Sequence, residues 1–300
     1  MTDASAQGLA RKSEDAPRAP GRLTIFFRRL GKNPLGALGL FLVVVMVGSA
    51  VFANFIILHD PAKIMVGPRL APPSWAFPMG TDQIGRDTFS RVVMGGQVAL
   101  FVACVSLAAA LSVGMLLGLI AAFGPRWLDA FLLLVFDTIR SFPVIIFALA
   151  VITLVGPSLG SIIFVVAITT VPNYGRVVRT QAQALRNSEF IMAERAMGAR
   201  LPRILAVHVL PNVIGPLLIL VSMDIPLVIT LEAGLSFLGM GVRPPTPAWG
   251  TILNAGYNHI QQSIWLVIAG GIPIVLTTLG FTFLGEALRD IFDPKLRKDL

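Results

Sequence analysis

Apolar residues fall along this chain in long runs. They show neither the alternation of a half-buried strand nor the one-sided stripe of a surface helix. Lipid offers backbone amides no partner, so a run of about 20 apolar residues predicts a membrane-crossing helix. The first run is Leu35 to Leu58, interrupted at Asn54. At 1.5 Å per residue it reaches roughly 36 Å, enough to cross with some tilt. Val98 to Phe123 is the second, closed by Gly124-Pro125. The third, Ala130 to Val155, is apolar except around Asp137 and Arg140, and Pro143 is placed to kink it. After a tight turn at 156–160, a fourth covers Ser161 to about Asn173, short unless it continues past Tyr174. The fifth is about Val213 to Leu238 and the sixth about Ile264 to Leu284. The pattern predicts an all-α polytopic membrane protein with six transmembrane helices.

Composition sharpens this. Of the 300 residues 55% are hydrophobic and 13% charged, with mean hydropathy +0.79; soluble domains carry roughly a quarter charged residues. A soluble enzyme, a disordered chain and a disulfide-stapled domain are thereby excluded. The single cysteine, Cys104, lies in an apolar run and forms no internal disulfide framework.

The net charge of +8 depends on where the cations fall. With the N-terminus inside, 19 Lys and Arg residues lie on inner segments and five on outer ones. That split predicts both termini on the cytoplasmic side and removes any need for nucleic acid as a partner. Residues 1–21 are polar, lack an apolar signal core and read as a disordered cytoplasmic tail. Residues 22–34 mix apolar and basic positions. They suit either an amphipathic helix on anionic lipid headgroups or a plain orientation signal. The six-span transmembrane body is then 35–300, with a long outer loop at 59–97 and an inner loop at 174–210.

The outer loop carries Gly80-Thr81-Asp82-Gln83-Ile84-Gly85-Arg86-Asp87, followed by Thr88, Phe89, Ser90 and Arg91. Two glycines framing alternating charges predict a turn fixed by side-chain hydrogen bonds and ion pairs. In the inner loop, Phe190, Ala193, Glu194 and Met197 share one side of a helix while Arg195 points away. Gly198 interrupts that helix. Pro202 suits the first turn of the next, whose face is Leu201, Ile204, Leu205 and His208. Two short amphipathic helices make a cytoplasmic knob, suited either to a partner's groove or to resting on headgroups.

Met192-Ala193-Glu194-Arg195-Ala196-Met197-Gly198, followed by Leu210-Pro211, resembles the EAA loop of ABC importer permeases: Glu-Ala-Ala, three residues, Gly, nine residues, Ile, one residue, Leu-Pro. Met192 stands for the first Glu, Glu194 for the second Ala and His208 for Ile. The 80–91 segment, the run Leu235-Ser-Phe-Leu-Gly-Met-Gly-Val-Arg-Pro-Pro-Thr-Pro-Ala-Trp-Gly250 and the terminal 284–294 segment resemble signatures of the C-type permease of the peptide/nickel importer family. The resemblance covers about residues 22 to 298. It implies the type I importer permease fold, a B-type permease partner, two cytoplasmic ATPase subunits holding ATP and Mg, and an external solute-binding protein. It also implies that the helix around Phe190 to Gly198, including Ala196, sits in an ATPase cleft. The chain itself has no Gly-x-x-x-x-Gly-Lys-Ser/Thr phosphate loop; its only Gly-Lys pair, Gly31-Lys32, precedes Asn33. It is read as a non-catalytic pathway subunit.

Charges inside the membrane are the remaining candidates. Asp224 lies mid-way along the fifth span, and a charge at that depth faces a cavity or a partner. It is either a pathway residue or a structural hydrogen-bonding group. Glu232 reads as structural, and Asp137 with Arg140, three apart on one helix, reads as an ion pair. The dispersed histidines His59, His208 and His259 give no metal cluster. Two rival functions follow from Asp224: an autonomous proton-coupled secondary transporter, or an intramembrane enzyme using Asp137 and Asp224. Dipeptides, oligopeptides, modified peptides and nickel chelates all remain open as cargo.

Overall fold

The computed structural model describes residue 31 and residues 33–292. The expected tail at 1–21, most of the 22–34 segment and the basic C-terminal residues lie outside the described residues. Long helices dominate: α1 (Pro34–Val51), α3 (Thr88–Phe123), α6 (Leu159–Arg186), α9 (Leu210–Phe237) and α11 (Trp265–Phe292). Each is long and apolar enough to cross a membrane. The pair α4 (Arg126–Arg140) and α5 (Val144–Val155), bent by 87° at their junction, is together long and apolar enough for a sixth. Pro143 is the cause: it sits immediately before α5, where it has no N–H to continue the α4 ladder. The expected kink is therefore a full break. Short helices complete the chain: α2 (Ala53–Ile56), α7 (Glu189–Ala196), α8 (Leu201–Ile204) and α10 (Trp249–Asn258).

Glycines set how closely the helices pack. A side chain at Gly118 would meet the carbonyl of Gly175 at 2.5 Å, and one at Gly114 would meet Tyr174 at 2.8 Å. This small-residue seam lets α3 and α6 run side by side in the same direction. Gly39 and Gly280 do the same for antiparallel α1 and α11: a methyl group on Gly39 would lie 2.6 Å from the Leu284 nitrogen. Between the helices lies one continuous core that includes Leu107, Phe136, Ile152, Ile162, Tyr174, Leu217 and Ile229. The outward surfaces of α1, α3 and α5 carry exposed Phe41, Phe101 and Leu154, as a lipid-facing surface requires.

Three span limits differ from the pattern-based expectation. Helix α3 starts at Thr88, ten residues before Val98, because Asp87 caps it by accepting from the Ser90 N–H. The 59–97 loop is correspondingly shorter. Helix α6 continues through Pro172 and past Tyr174 to Arg186. On it, Thr169 and Thr170 return their hydroxyls to the Val165 and Val166 carbonyls. The first span breaks at Phe52, and α2 finishes it.

Candidate functional site

At one end of the bundle the 80–91 segment folds into a hydrogen-bonded knot. Asp82 is its hub: Oδ1 accepts from the Ile84 and Arg86 N–H groups at 3.0 and 2.9 Å. Its Oδ2 accepts from Arg86 Nε at 2.6 Å, with Arg91 Nε at 3.7 Å. Arg91 also donates to the Pro61 carbonyl at 3.0 Å. Asp87 accepts from Ser90, and the Ser90 hydroxyl in turn accepts from the Leu58 and His59 N–H groups. Thr81 donates to the Pro68 carbonyl and accepts from Ala71 N–H. Gly80 and Gly85 take φ of +72° and +75°, the left-handed region that a side chain disfavours. The expected turn held by hydrogen bonds and ion pairing is present, and Thr81, Asp82 and Asp87 are buried.

The knot is tied to α10, an element that the run pattern did not predict. Trp249 is buried against Gly95 and Gly96, and its indole N–H donates to the Val92 carbonyl at 2.8 Å. Helix α10 is only ten residues long and amphipathic, so it lacks the length that marks a span. The signal available was Trp249-Gly250 after a proline-rich stretch, within the 235–250 segment.

At the other end, α7 closes with a motif in which Gly198 is essential. The Gly198 N–H donates to the Arg195 carbonyl and the Ala199 N–H to the Glu194 carbonyl, both at 3.0 Å, with Gly198 at φ +85°. This pattern of paired bonds across a left-handed glycine is a Schellman termination. Ile191 anchors the helix, being fully buried, whereas Phe190, Met192, Ala193, Ala196 and Met197 are exposed. Glu194 is half-buried because it meets His208 at 3.3 Å, and Phe190 stands edge-on to the same imidazole. Two of the departures from the EAA pattern therefore touch each other. Arg195 does leave the Phe190 side, but its guanidinium lies 6.0 Å over the Phe123 ring.

The second face of the knob is corrected. Of Leu201, Ile204, Leu205 and His208, only Ile204 is buried, and Val209 is buried instead. Residues Leu205–Val209 form a π-helical turn, which inserts an extra residue and shifts the 3.6-residue register. Leu210 begins α9 directly after it, and Pro211 occupies that helix's first turn, where its missing N–H costs least.

Between the two ends, Asp224 opens onto a cavity of about 410 Å³, together with Arg140, Thr169, Thr170 and Asn173. Its Oδ2 is buried without a hydrogen-bond partner. Asp137 does not pair with Arg140. It pairs with Arg176 of α6, while Arg140 lines the Asp224 cavity. Helical spacing puts Asp137 and Arg140 on one face, but packing brings a guanidinium from the neighbouring helix. Arg140 is also the last residue of α4, where the chain turns. Glu232 is fully buried and accepts from the Ser236 hydroxyl at 2.6 Å, consistent with a structural role.

This arrangement coincides with known proteins. Residues 114–298 match the family described as binding-protein-dependent transport system inner membrane component, and residues 22–73 match the N-terminal transmembrane domain of oligopeptide transport permease C. The chain belongs to the first of these families and is a multi-pass inner-membrane permease. It is 38% identical over 271 residues to a dipeptide transport system permease protein of Alkalihalophilus pseudofirmus, covering 90% of this chain and 89% of that one. It is 34% identical over 284 residues to a di/tripeptide transport system permease protein of Pseudomonas aeruginosa, covering 93% and 94%. Among solved structures, a chain of an inward-facing MetNI methionine ABC transporter shares the fold with TM-score 0.54 and 19% identity. That match covers 68% of this chain and 97% of the other.

Proposed function

We propose that this chain is the translocation subunit of an ATP-driven importer of di- or oligopeptides, with its termini and the α7 knob on the cytoplasmic side. The 19-to-5 bias of basic residues supports that orientation, and the names of its relatives support peptide cargo. A B-type permease would complete the pathway. Two ATPase subunits would hold ATP and Mg, and an external solute-binding protein would deliver the solute.

The observation that carries this reading is the knob: a helix stopped by the Gly198 Schellman motif, anchored by buried Ile191 and presenting exposed Phe190, Met192 and Met197. Exposed aromatic and Met side chains on a short rigid helix suit a groove in a partner protein. ATPase closure would push α7, and the continuous path through α8 and the π turn into α9 would carry the displacement to Asp224. Asp224 lines the pathway and meets a solute amino group or water there.

Reconstitution tests this. Uptake that depends strictly on ATP and on separate ATPase subunits is expected. Uptake by this chain alone under a proton gradient would overturn the reading in favour of a secondary transporter. Within the complete transporter, Asp224→Ala should lower uptake while the complex stays intact; retained uptake removes the pathway role.

A further inference from the structure

The cavity of about 410 Å³ at Asp224 carries one charge of each sign, on different walls. Asp224 comes from α9 and Arg140 from the α4–α5 junction, while α6 contributes Thr169, Thr170 and Asn173. The two charges do not pair with each other, and among the described residues neither has another ion-pair partner. Arg140 is left free because Asp137, the carboxylate one turn before it, is taken by Arg176. Only one Asp224 oxygen is available to a ligand. Oδ2 is sealed in the wall, whereas Oδ1 is neither buried nor hydrogen-bonded among the described residues.

The neutral groups are committed in a way that favours particular partners. Thr169 and Thr170 give their hydroxyl protons to the Val165 and Val166 carbonyls, so toward the cavity they can only accept. Asn173 is half-buried and its amide makes no hydrogen bond among the described residues, which leaves it both a donor and an acceptor. This set selects by exclusion. A simple anion drawn by Arg140 is repelled by Asp224, and a simple cation meets the reverse. A divalent metal ion finds one carboxylate, and no group of three or more ligating side chains occurs among the described residues. A molecule with an ammonium at one end and a carboxylate at the other satisfies both poles.

We propose that this cavity is a two-pole subsite for the free termini of a short peptide, with the ammonium at Asp224 Oδ1, the carboxylate on Arg140 and the peptide bond at Asn173. The Thr169 and Thr170 oxygens are further acceptors for the ammonium, and the Arg140 guanidinium matches a planar carboxylate. Val166, Leu227 and Leu231 offer apolar surface to the peptide side chains. The volume is that of a small-ligand site, and a dipeptide uses the Asn173 amide where a single amino acid does not. The inference rests on the permease reading for how a solute reaches the cavity. It adds Arg140 as a specificity residue for the carboxylate end and gives the membrane subunit its own preference for unblocked peptides.

The test uses the complex of both permeases and both ATPase subunits in lipid nanodiscs, without the solute-binding protein, so that only the membrane site is read. Ligand-detected NMR titrations compare three probes: di-alanine, its C-terminal amide and its N-acetyl derivative. Di-alanine should bind about tenfold more tightly than either blocked form. Arg140→Gln should abolish the preference over the amide and keep the preference over the N-acetyl form. Asp224→Asn should do the opposite, and Arg140→Lys should keep part of the first preference. That crossed pattern is not produced by a variant that merely loosens the cavity. If di-alanine does not bind, or binds wild-type transporter no better than its amide, the subsite is overturned, whether or not the variants assemble. Equal weakening of all three probes by each variant also overturns it. ATP-dependent uptake by the wild-type transporter with its solute-binding protein is scored separately. Its absence strikes the permease reading, whereas uptake without any preference among the probes strikes the subsite alone.

Discussion

The two ends of this molecule handle polar and apolar groups in opposite ways. At the 80–91 end, the side chains of Asp82, Asp87, Ser90 and Arg91 are buried and pair with one another and with nearby backbone, and Trp249 is buried on the start of the following helix. At the 189–210 end the short helix holds to its own chain through Ile191 and the Glu194–His208 contact, leaving Phe190, Met192 and Met197 exposed. One end is finished by the chain itself, while the other leaves a surface whose burial requires another molecule. A segment can thus be well ordered for two different reasons: dense internal pairing, or a stiff local termination that presents a surface.

The largest effect should come from breaking the finished end. Asp82→Ala removes the hub and strands Arg86 and Arg91 in a buried site, costing about 3–5 kcal/mol. Thermal unfolding of the detergent-solubilised protein should show a large drop, and an unchanged transition would mean the knot is not structural. Gly80→Ala forces a side chain into a left-handed position against the Ala71 carbonyl and should cost about 1–3 kcal/mol in the same assay.

The open end should respond in a different observable. Gly198→Pro removes the N–H bonded to Arg195 and demands a φ of opposite sign, so the knob loses its termination. Co-purification of ATPase subunits should fall or ATP hydrolysis should uncouple from uptake, with thermal stability of the bundle nearly unchanged. Smaller still, Phe190→Ala combined with Met197→Ala should alter stability by under about 0.5 kcal/mol, as exposed positions do, yet weaken ATPase attachment. The weakest signal is a double-mutant cycle on Glu194 and His208. The pair is partly exposed, so a coupling of about 0.2–1 kcal/mol is expected, reduced by salt. Zero coupling would make the contact incidental.

Legibility followed the same division. Runs of apolar residues announced the spans, because span length is dictated by bilayer thickness and needs no neighbour to interpret it. Gly198 announced a helix end, because a left-handed termination is a local requirement that glycine meets at little cost. Span ends were less legible: α3 gains ten residues from the Asp87 cap, and α6 runs on past Pro172. Helix α10 escaped notice because ten residues of mixed polarity resemble a loop until Trp249 is seen packed on Gly95 and Gly96. In the candidate site, Asp224 was visible as a charge where none should be. Its companions Arg140, Thr169, Thr170 and Asn173 come from two other helices, and no spacing rule links them.

By itself, then, the sequence determined what depends on a residue and its near neighbours: the all-helical membrane class, the uneven spread of basic residues among the loops, the Gly80–Gly85 turn and the position of the knob. Tertiary structure alone decided which charges meet. Asp137 took Arg176 in place of Arg140, Glu194 found His208, and Arg86 and Arg91 came to share one cavity with the distant Arg243. The physical reason is range. Hydrophobic run length and turn geometry act within a few residues of chain, whereas an ion pair requires only spatial proximity, and proximity between helices is set by how their small-residue seams pack.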